Sequence, residues 1–167
     1  MKVHSQTDVG LVRTLNEDAC RTGLLGENGA WAVVCDGMGG ANGGEIASET
    51  AVKSIEEQIL ASYEEDFKSE EMKLMLSTLI FHANSAVYDM AQENESLKGM
   101  GTTIVVAIVL DNVAHIAHAG DSRAYWLHNG NIMQITTDHS MVQELIKNGD
   151  LTVEQAKVHP QKNIITR

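Results

Sequence analysis

Apolar residues repeat at helical intervals in two stretches of the chain. In the first stretch, residues 43–60, Ala47, Ala51, Ile55 and Ile59 recur every four positions, which places them on one face of a helix. The second stretch, residues 70–94, has the stripe of an amphipathic helix, formed by Met72, Leu76, Leu79, Ala83, Val87 and Met90. Between the helices lies an acidic run: Glu64, Glu65, Asp66, Glu70 and Glu71. We interpret this run as a solvated connector that also favours the start of the second helix.

Short runs of β-prone residues lie on either side of the two helices. The predicted strands are residues 2–7, 20–25 and 31–35 before the helices, and residues 102–110, 113–120, 122–127 and 132–136 after them. The 31–35 run is almost continuously apolar, which predicts burial on both faces. Residues 111–112 and 128–131 carry turn signals, and residues 141–149 and 152–158 have short helical patterns. Strands, then helices, then strands in mostly antiparallel order indicate an α+β fold rather than a doubly wound sheet.

Composition and charge narrow the classes of function. The 167 residues are 43% apolar, enough for a core, and 12 basic against 23 acidic residues give a net charge of −11. This acidity argues against nucleic acid or an anionic membrane as a partner, because phosphate backbones are bound by clustered Lys and Arg. The longest apolar run, residues 104–110, is far shorter than a membrane span of roughly 20 residues, and the N-terminus has no apolar signal region. Cys20 and Cys35 form neither a disulfide framework nor a metal-knuckle spacing. We therefore expect a single cytoplasmic domain.

The most informative candidate site is Asp36, which follows a predicted buried strand and precedes a glycine-rich loop at residues 37–44. Its carboxylate, with the unobstructed carbonyl of Gly37, suits a hard cation. A turn that only begins a helix would also explain the glycines. A Walker A loop fails because Glu45 follows Gly44, a dinucleotide loop lacks its third glycine, and Met38 breaks an EF-hand.

Two further motifs are weaker when each is taken alone. Glu17 and Asp18 follow Arg13, a residue type that grips phosphate bidentately, but a charged surface turn explains them equally well. Asp121 lies in a Gly-Asp-Ser-Arg sequence between predicted strands, where a turn is again sufficient. His115 and His118 are three apart on a predicted strand, so their side chains point to opposite faces and cannot share a metal.

Taken together and in order, these motifs resemble one family, the metal-dependent (PPM, type 2C) serine/threonine protein phosphatases in their bacterial form. The matching segments are residues 7–19 (TDVGLVRTLNEDA), 33–48 (VVCDGMGGANGGEIAS), 99–109 (GMGTTIVVAIV), 116–127 (IAHAGDSRAYWL), 135–152 (ITTDHSMVQELIKNGDLT) and 159–167 (HPQKNIITR). The resemblance covers essentially the whole chain. It implies a four-layer α/β/β/α sandwich, in which two antiparallel sheets pack face to face between helix layers.

The resemblance also implies a chemistry and a set of roles. Two Mn²⁺ or Mg²⁺ ions, with a third in bacterial members, activate a water that attacks phosphoserine or phosphothreonine without a phosphoenzyme. The implied roles are a bridging metal ligand (Asp36), a carbonyl ligand (Gly37), a phosphate-binding residue (Arg13), outer-shell acids (Glu17 and Asp18), a ligand of the third metal (Asp121) and substrate-side residues of a mobile flap at about residues 137–160 (His139 and His159). The implied substrates are proteins phosphorylated by a partner serine/threonine kinase.

Three departures from the family pattern bear on activity. Met38 occupies the position of a histidine in eukaryotic members, and Ala41 and Gly43 vary the loop without removing a ligand. The family's two later metal-binding aspartates, in SDG-like and DN-like segments, have no counterpart before Arg167. We therefore expect weak metal binding and little turnover by these residues alone. A catalytically incomplete, pseudo-phosphatase-like module that binds a phosphoprotein is the alternative, and a nucleotide-binding α/β protein is a third hypothesis.

Overall fold

The computed structural model describes residues 1–63 and 69–167, with all side chains there except those of residues 40–42 and 69. The chain divides into two compact units, Met1–His118 and Ala119–Arg167, each described by itself below. The acidic residues Glu64, Glu65 and Asp66 of the predicted connector lie outside the described residues. Glu70 and Glu71 occupy the first turn of the second long helix, as expected for acidic residues at a helix N-terminus.

The first unit is built on an antiparallel sheet with two long helices. Its strands are β1 (Asp18–Leu25), β2 (Gly29–Met38), β3 (Gly101–Thr102), β4 (Ile104–Leu110) and β5 (Val113–Ala119). They are ordered β1-β2-β4-β5, and β3 pairs with the end of β2. The helices are α1 (Gly40–Ser62) and α2 (Ser69–Glu93), followed by a 3₁₀ turn at Glu95–Leu97. Helix α1 packs against β1, β2 and α2.

The core of this unit confirms most of the helical pattern. Ala47, Ala51, Ile55 and Ile59 are completely buried, and so are Met72 and Ala83 of the second stripe. The last residue of that stripe, Met90, is 37% exposed, because it lies near the end of α2. The Asp111-Asn112 turn between β4 and β5 has both residues at positive φ, 46° and 66°, as a two-residue hairpin requires.

Three sequence expectations for this unit are wrong. No strand forms at residues 2–7: the segment is exposed and pairs with no strand among the described residues, and an extended run needs a partner edge. The 31–35 run is buried on one face only. Trp31 is 2% exposed but Val34 is 48% exposed, because alternate side chains of a strand point away from the helices. The glycine-rich stretch is not a loop up to Gly44, since α1 begins at Gly40.

The second unit consists of a hairpin and two short helices. Strands β6 (Tyr125–His128) and β7 (Asn131–Gln134) form a two-stranded antiparallel sheet around the Asn129-Gly130 turn. β6 begins later than the predicted 122–127, because Gly120 and Asp121 form a bend and residues 122–124 join no strand. Helix α3 (Met141–Asn148) is capped by the Ser140 hydroxyl, and α4 (Val153–Lys157) begins with a capping box.

The two antiparallel sheets and their helices confirm the expected mixed fold, and no described helix is long and apolar enough to cross a membrane.

Candidate metal centre and phosphate site

Asp36 lies near the end of β2, where its main chain is bonded to the start of the next strand. The Asp36 amide donates to the Thr103 hydroxyl at 3.0 Å. The Asp36 carbonyl accepts from the Thr103 amide at 2.9 Å and from the Thr102 hydroxyl at 3.0 Å. Since both backbone polar groups of Asp36 are bonded, the backbone that carries its carboxylate is held in one conformation.

A second carboxylate faces Asp36 across the sheet. In the β1–β2 register Asp18 lies directly opposite Asp36, and the 17–18 acidic pair therefore reaches the same edge. Opposed residues of an antiparallel pair project from the same face, with Cβ atoms about 5 Å apart, and like charges in such positions destabilise a sheet. This arrangement is favourable when a cation lies between the two carboxylates, and their oxygens are the donors that Mn²⁺ and Mg²⁺ prefer.

Two glycines allow the start of α1 to come close to this edge. A Cβ on Gly37 would lie 2.6 Å from the Glu17 carbonyl oxygen and closer still to the Gly44 carbonyl oxygen. A Cβ on Gly44 would collide with the Glu17 carboxylate. The Gly37 amide donates to the Glu17 carbonyl at 3.1 Å, so the strand end and the residue before β1 are joined directly. The glycines are therefore required by close packing, which explains why a glycine-rich sequence can begin a helix here.

The acidic residues share one small cavity with an arginine. The cavity, of about 260 Å³, is lined by Asp8, Val9, Arg13, Leu15, Asn16, Glu17, Asp18, Asp36 and Gly37. The Arg13 side chain is 77% exposed, and its Nη1 lies 3.8 Å from Glu17 Oε2, which is a loose ion pair. The structure thus brings together Arg13, Glu17, Asp18, Asp36 and Gly37, all of which the sequence had indicated. The guanidinium is accessible to a phosphate in solvent.

One cavity residue, Asp8, was not predicted from the sequence as a site residue. Its carboxylate accepts a hydrogen bond from the Gly10 amide at 2.7 Å, in a local turn. Asn16 orders the same segment, because it donates to the Thr7 hydroxyl at 2.8 Å and accepts from the Asp18 amide at 3.1 Å. The only available signal was the position of Asp8 within the 7–19 motif. Segment 7–17 is thus shaped by side-chain hydrogen bonds rather than by strand pairing.

Cys35, the residue before Asp36, belongs to the core and not to the site. Burial raises the pKa of its thiol to about 12, and a hydrogen bond with Thr102 lowers it to a smaller extent. The thiol is therefore neutral at physiological pH and is poorly suited to bind a metal or attack a substrate.

The remaining candidates belong to the second unit. Asp121 lines a cavity of about 660 Å³, together with Arg123, Asp138 and residues of α3 and α4. Arg123 forms a bidentate ion pair with Asp138, at 2.8 Å and 2.6 Å. This pairing raises the pKa of Arg123 further above its ordinary value.

The two candidate histidines each make a hydrogen bond through Nδ1. His139 accepts from the Gly120 amide at 3.3 Å, and His159 accepts from the Gln161 amide at 3.2 Å. Their substrate-side roles stay predictions. Among residues 1–63 and 69–167, no three His, Cys, Asp or Glu side chains are grouped so that they could hold a metal ion. The candidate donor groups among the described residues are thus fewer than a full coordination sphere. Mg²⁺ sites in proteins commonly have few protein donors, because Mg²⁺ retains several waters.

The fold and the acidic edge occur in a chain that matches a known protein family. Residues 12–165 match the family model described as Protein phosphatase 2C. The chain belongs to the protein phosphatase 2C family.

Known phosphatases match most or all of the chain in sequence and in structure. The serine/threonine phosphatase stp of Listeria welshimeri serovar 6b is 37% identical over 170 residues, which cover 100% of this chain and 66% of the relative. The chain is similar to the crystal structure of serine/threonine phosphatase Stp1 from Staphylococcus aureus, with a TM-score of 0.88 and 41% identity over 96% of this chain and 63% of that one. The catalytic domain of the phosphatase PstP, solved in complex with two manganese ions, matches 90% of this chain and 61% of its own length, with 34% identity and a TM-score of 0.74. The chain therefore spans about two thirds of the length of the relatives it matches.

Proposed function

We propose that the protein is a metal-dependent phosphatase that hydrolyses phosphoserine and phosphothreonine in proteins and opposes a serine/threonine kinase. The observation that carries this proposal is the register that sets Asp18 opposite Asp36 in a cavity shared with Arg13. Two opposed carboxylates favour a cation, and an accessible guanidinium favours a phosphate. We assign residues 1–167 to one phosphatase catalytic domain that acts in the cytoplasm.

In the proposed enzyme, two divalent ions would be held at this edge, with bound waters completing their coordination. Asp36 and the carbonyl of Gly37 would hold them directly, Glu17 and Asp18 would act through bound waters, and Asp121 would contribute to a third. The all-oxygen donor set fits both Mn²⁺ and Mg²⁺, and the manganese complex of PstP leads us to propose Mn²⁺. When bound, such ions supply Lewis-acid activation of a water and offset the charge of the phosphoryl group.

The chain's own residues bind and orient the substrate. Four carboxylates and one guanidinium line the cavity, so a phosphate dianion is repelled by the protein alone and its binding depends on the cations. Arg13 can donate two parallel hydrogen bonds to phosphate oxygens, which fixes the direction of the phosphoryl group. The bonded backbone at Asp36 would fix the point from which its carboxylate extends into the cavity.

The test measures phosphate release from a phosphothreonine peptide while Mn²⁺ is titrated. Asp36→Asn should reduce Mn²⁺-dependent release by at least about 100-fold, because it removes the proposed bridging ligand. Asp89→Asn, on an exposed position of α2, is the matched control and should leave release unchanged. Arg13→Ala should raise the KM for the peptide. Release that survives Asp36→Asn would contradict the proposal.

The second candidate function is a module that binds phosphoproteins without hydrolysis. It is favoured by the lack of a three-ligand metal group among the described side chains. Peptide binding that depends on Arg13, without phosphate release at any Mn²⁺ concentration, would support this alternative for residues 1–167.

A further inference from the structure

The turn that contains Asp121 is held at both ends by two consecutive residues, Asp138 and His139. At one end, the Arg123 guanidinium donates to both oxygens of the Asp138 carboxylate. At the other end, the His139 amide donates to the Gly120 carbonyl at 2.9 Å, and the Gly120 amide donates to His139 Nδ1 at 3.3 Å. Asp121 therefore lies between two anchored residues.

The bond to the His139 ring has a specific chemical requirement. Gly120 adopts a φ of +102°, which few residues other than glycine reach, and both of its backbone polar groups are bonded to His139. In this structure the acceptor of the Gly120 amide is His139 Nδ1. The neutral ring must then carry its proton on Nε2. A side chain of similar size without that acceptor would leave the amide unbonded at the residue before Asp121.

The backbone of His139 is fixed from the opposite direction. Its carbonyl accepts from the Thr166 amide at 2.9 Å, and the Met141 amide donates to the Ile164 carbonyl at 2.9 Å. Ser140 and Ile165 form an antiparallel bridge between these bonds. His139 is thus placed where the two ends of the α3–α4 segment meet, and its position does not depend on the Asp121 turn alone.

We propose that His139 is a positioning residue for Asp121. Through its Nδ1 and its backbone amide it fixes Gly120, and thereby sets the direction in which the Asp121 carboxylate is presented to a divalent cation. The cation role rests on the proposed function above. The positional role rests only on these hydrogen bonds, so the two can fail independently.

The test compares three substitutions at His139 with a control on the hairpin. His139→Asn places an amide oxygen near the position of Nδ1, His139→Gln places its polar group about one bond further out, and His139→Leu removes the acceptor. His128→Leu is the control, because His128 is exposed and its ring stacks on Trp126. The first readout is hydrogen exchange of the Gly120 amide in metal-free protein, followed by NMR. The second is Mn²⁺ binding, followed by the loss of the free-ion signal in electron paramagnetic resonance.

We expect His139→Leu to speed Gly120 exchange by about three- to tenfold, the effect of one neutral hydrogen bond. His139→Asn and His128→Leu should exchange at nearly the rate of the unsubstituted protein. The weakest Mn²⁺ site is identified as the one that is lost in Asp121→Asn. The affinity of this site for Mn²⁺ should fall by a similar factor in His139→Leu and should be unchanged in His139→Asn.

Equal Gly120 exchange in His139→Leu and in the unsubstituted protein would overturn the proposal. If His139→Leu does not fold, His139→Asn and His139→Gln are compared instead. Slow exchange of the Gly120 amide in His139→Asn together with fast exchange in His139→Gln supports the positioning role, and equal exchange rates in these two variants reject it. If the unsubstituted protein binds no Mn²⁺, the proposed function fails, and Gly120 exchange still decides whether His139 holds the turn.

Discussion

Replacing Gly37 by alanine tests whether close packing of the α1 N-terminus shapes the acidic cavity. The added Cβ would meet backbone on two sides, 2.5 Å from the Gly44 carbonyl carbon and 2.6 Å from the Glu17 carbonyl oxygen. The Gly44 carbonyl oxygen would lie closer still, and none of these atoms is the flexible end of a side chain, so a backbone segment must move by about 1 Å. Forced overpacking of this kind lowers the free energy of unfolding by about 1–3 kcal/mol. Alanine also restricts the unfolded chain, but this effect raises the free energy of unfolding by less than about 1 kcal/mol.

We therefore expect Gly37→Ala to lower the free energy of unfolding of the first unit by about 2 kcal/mol. With a urea m-value of about 2 kcal/mol/M, the unfolding midpoint should fall by roughly 1 M. Trp31 reports on this unit, because it is 2% exposed within β2. The exposed Trp126 of the hairpin would be replaced by phenylalanine in every sample, so that the fluorescence comes from Trp31 alone.

Gly43→Ala is the matched control, one residue before Gly44 in the same helix. Its Cβ would lie 3.0 Å from Met100 Cβ, and the next atom would be 3.7 Å away. The gain in helix propensity, up to about 1 kcal/mol, offsets this single tight contact, so the urea midpoint should change by less than about 0.5 M. An unchanged midpoint in Gly37→Ala, or an equal loss in Gly43→Ala, would refute the packing argument.

Three further predictions concern buried and paired groups. At neutral pH a thiol reagent should label the half-buried Cys20, but it should label the buried Cys35 only after unfolding. Labelling of a folded Cys20→Ser variant, in which Cys35 is the remaining thiol, would contradict this prediction. Because the folded pKa of Cys35 is raised to about 12, the folded state retains a proton that the unfolded chain loses above about pH 9. The free energy of unfolding should therefore fall by about 1.4 kcal/mol per pH unit between these values, and this contribution should be absent in Cys35→Ala. Arg123→Lys should lower the free energy of unfolding of the second unit by about 1 kcal/mol, because lysine cannot form the bidentate pair with the largely buried Asp138 carboxylate. Thermal unfolding followed by Trp126 fluorescence measures this change, and an unchanged transition would reject the prediction.

The elements that the sequence predicted well are those determined by local periodicity. The four-residue spacing of Ala47 through Ile59 is sufficient to identify α1, since a helix places such residues on one face whatever lies beyond it. The Asp111-Asn112 turn is similarly local, because these residue types tolerate positive φ. Residues 2–7 show the limit of this reasoning. Their β-prone composition describes a strand that could pair, but whether it pairs depends on an edge elsewhere in the fold.

The candidate site was predictable in its residues but not in its geometry. Asp36, Glu17, Asp18 and Arg13 were found because their types suit cations and phosphate. The Asp18–Asp36 register joins positions that are 18 residues apart, and sequence spacing alone does not reveal it. The bonds from His139 to Gly120 span 19 residues and involve a ring nitrogen, which no periodic pattern encodes. Asp8 was missed for the same reason, because its place in the cavity follows from tertiary packing and not from a local motif.

Both candidate ligand positions are built in the same physical way. The backbone at Asp36 is bonded to Thr102 and Thr103, and the backbone beside Asp121 is bonded to His139. In each case hydroxyl or imidazole groups satisfy main-chain groups at or beside the aspartate, and these bonds hold the local backbone in place. Because the Thr103 hydroxyl accepts from the Asp36 amide, Thr103→Val would leave that amide without this bond. We therefore predict that Thr103→Val disturbs metal binding at Asp36, even though Thr103 is buried and carries no charge.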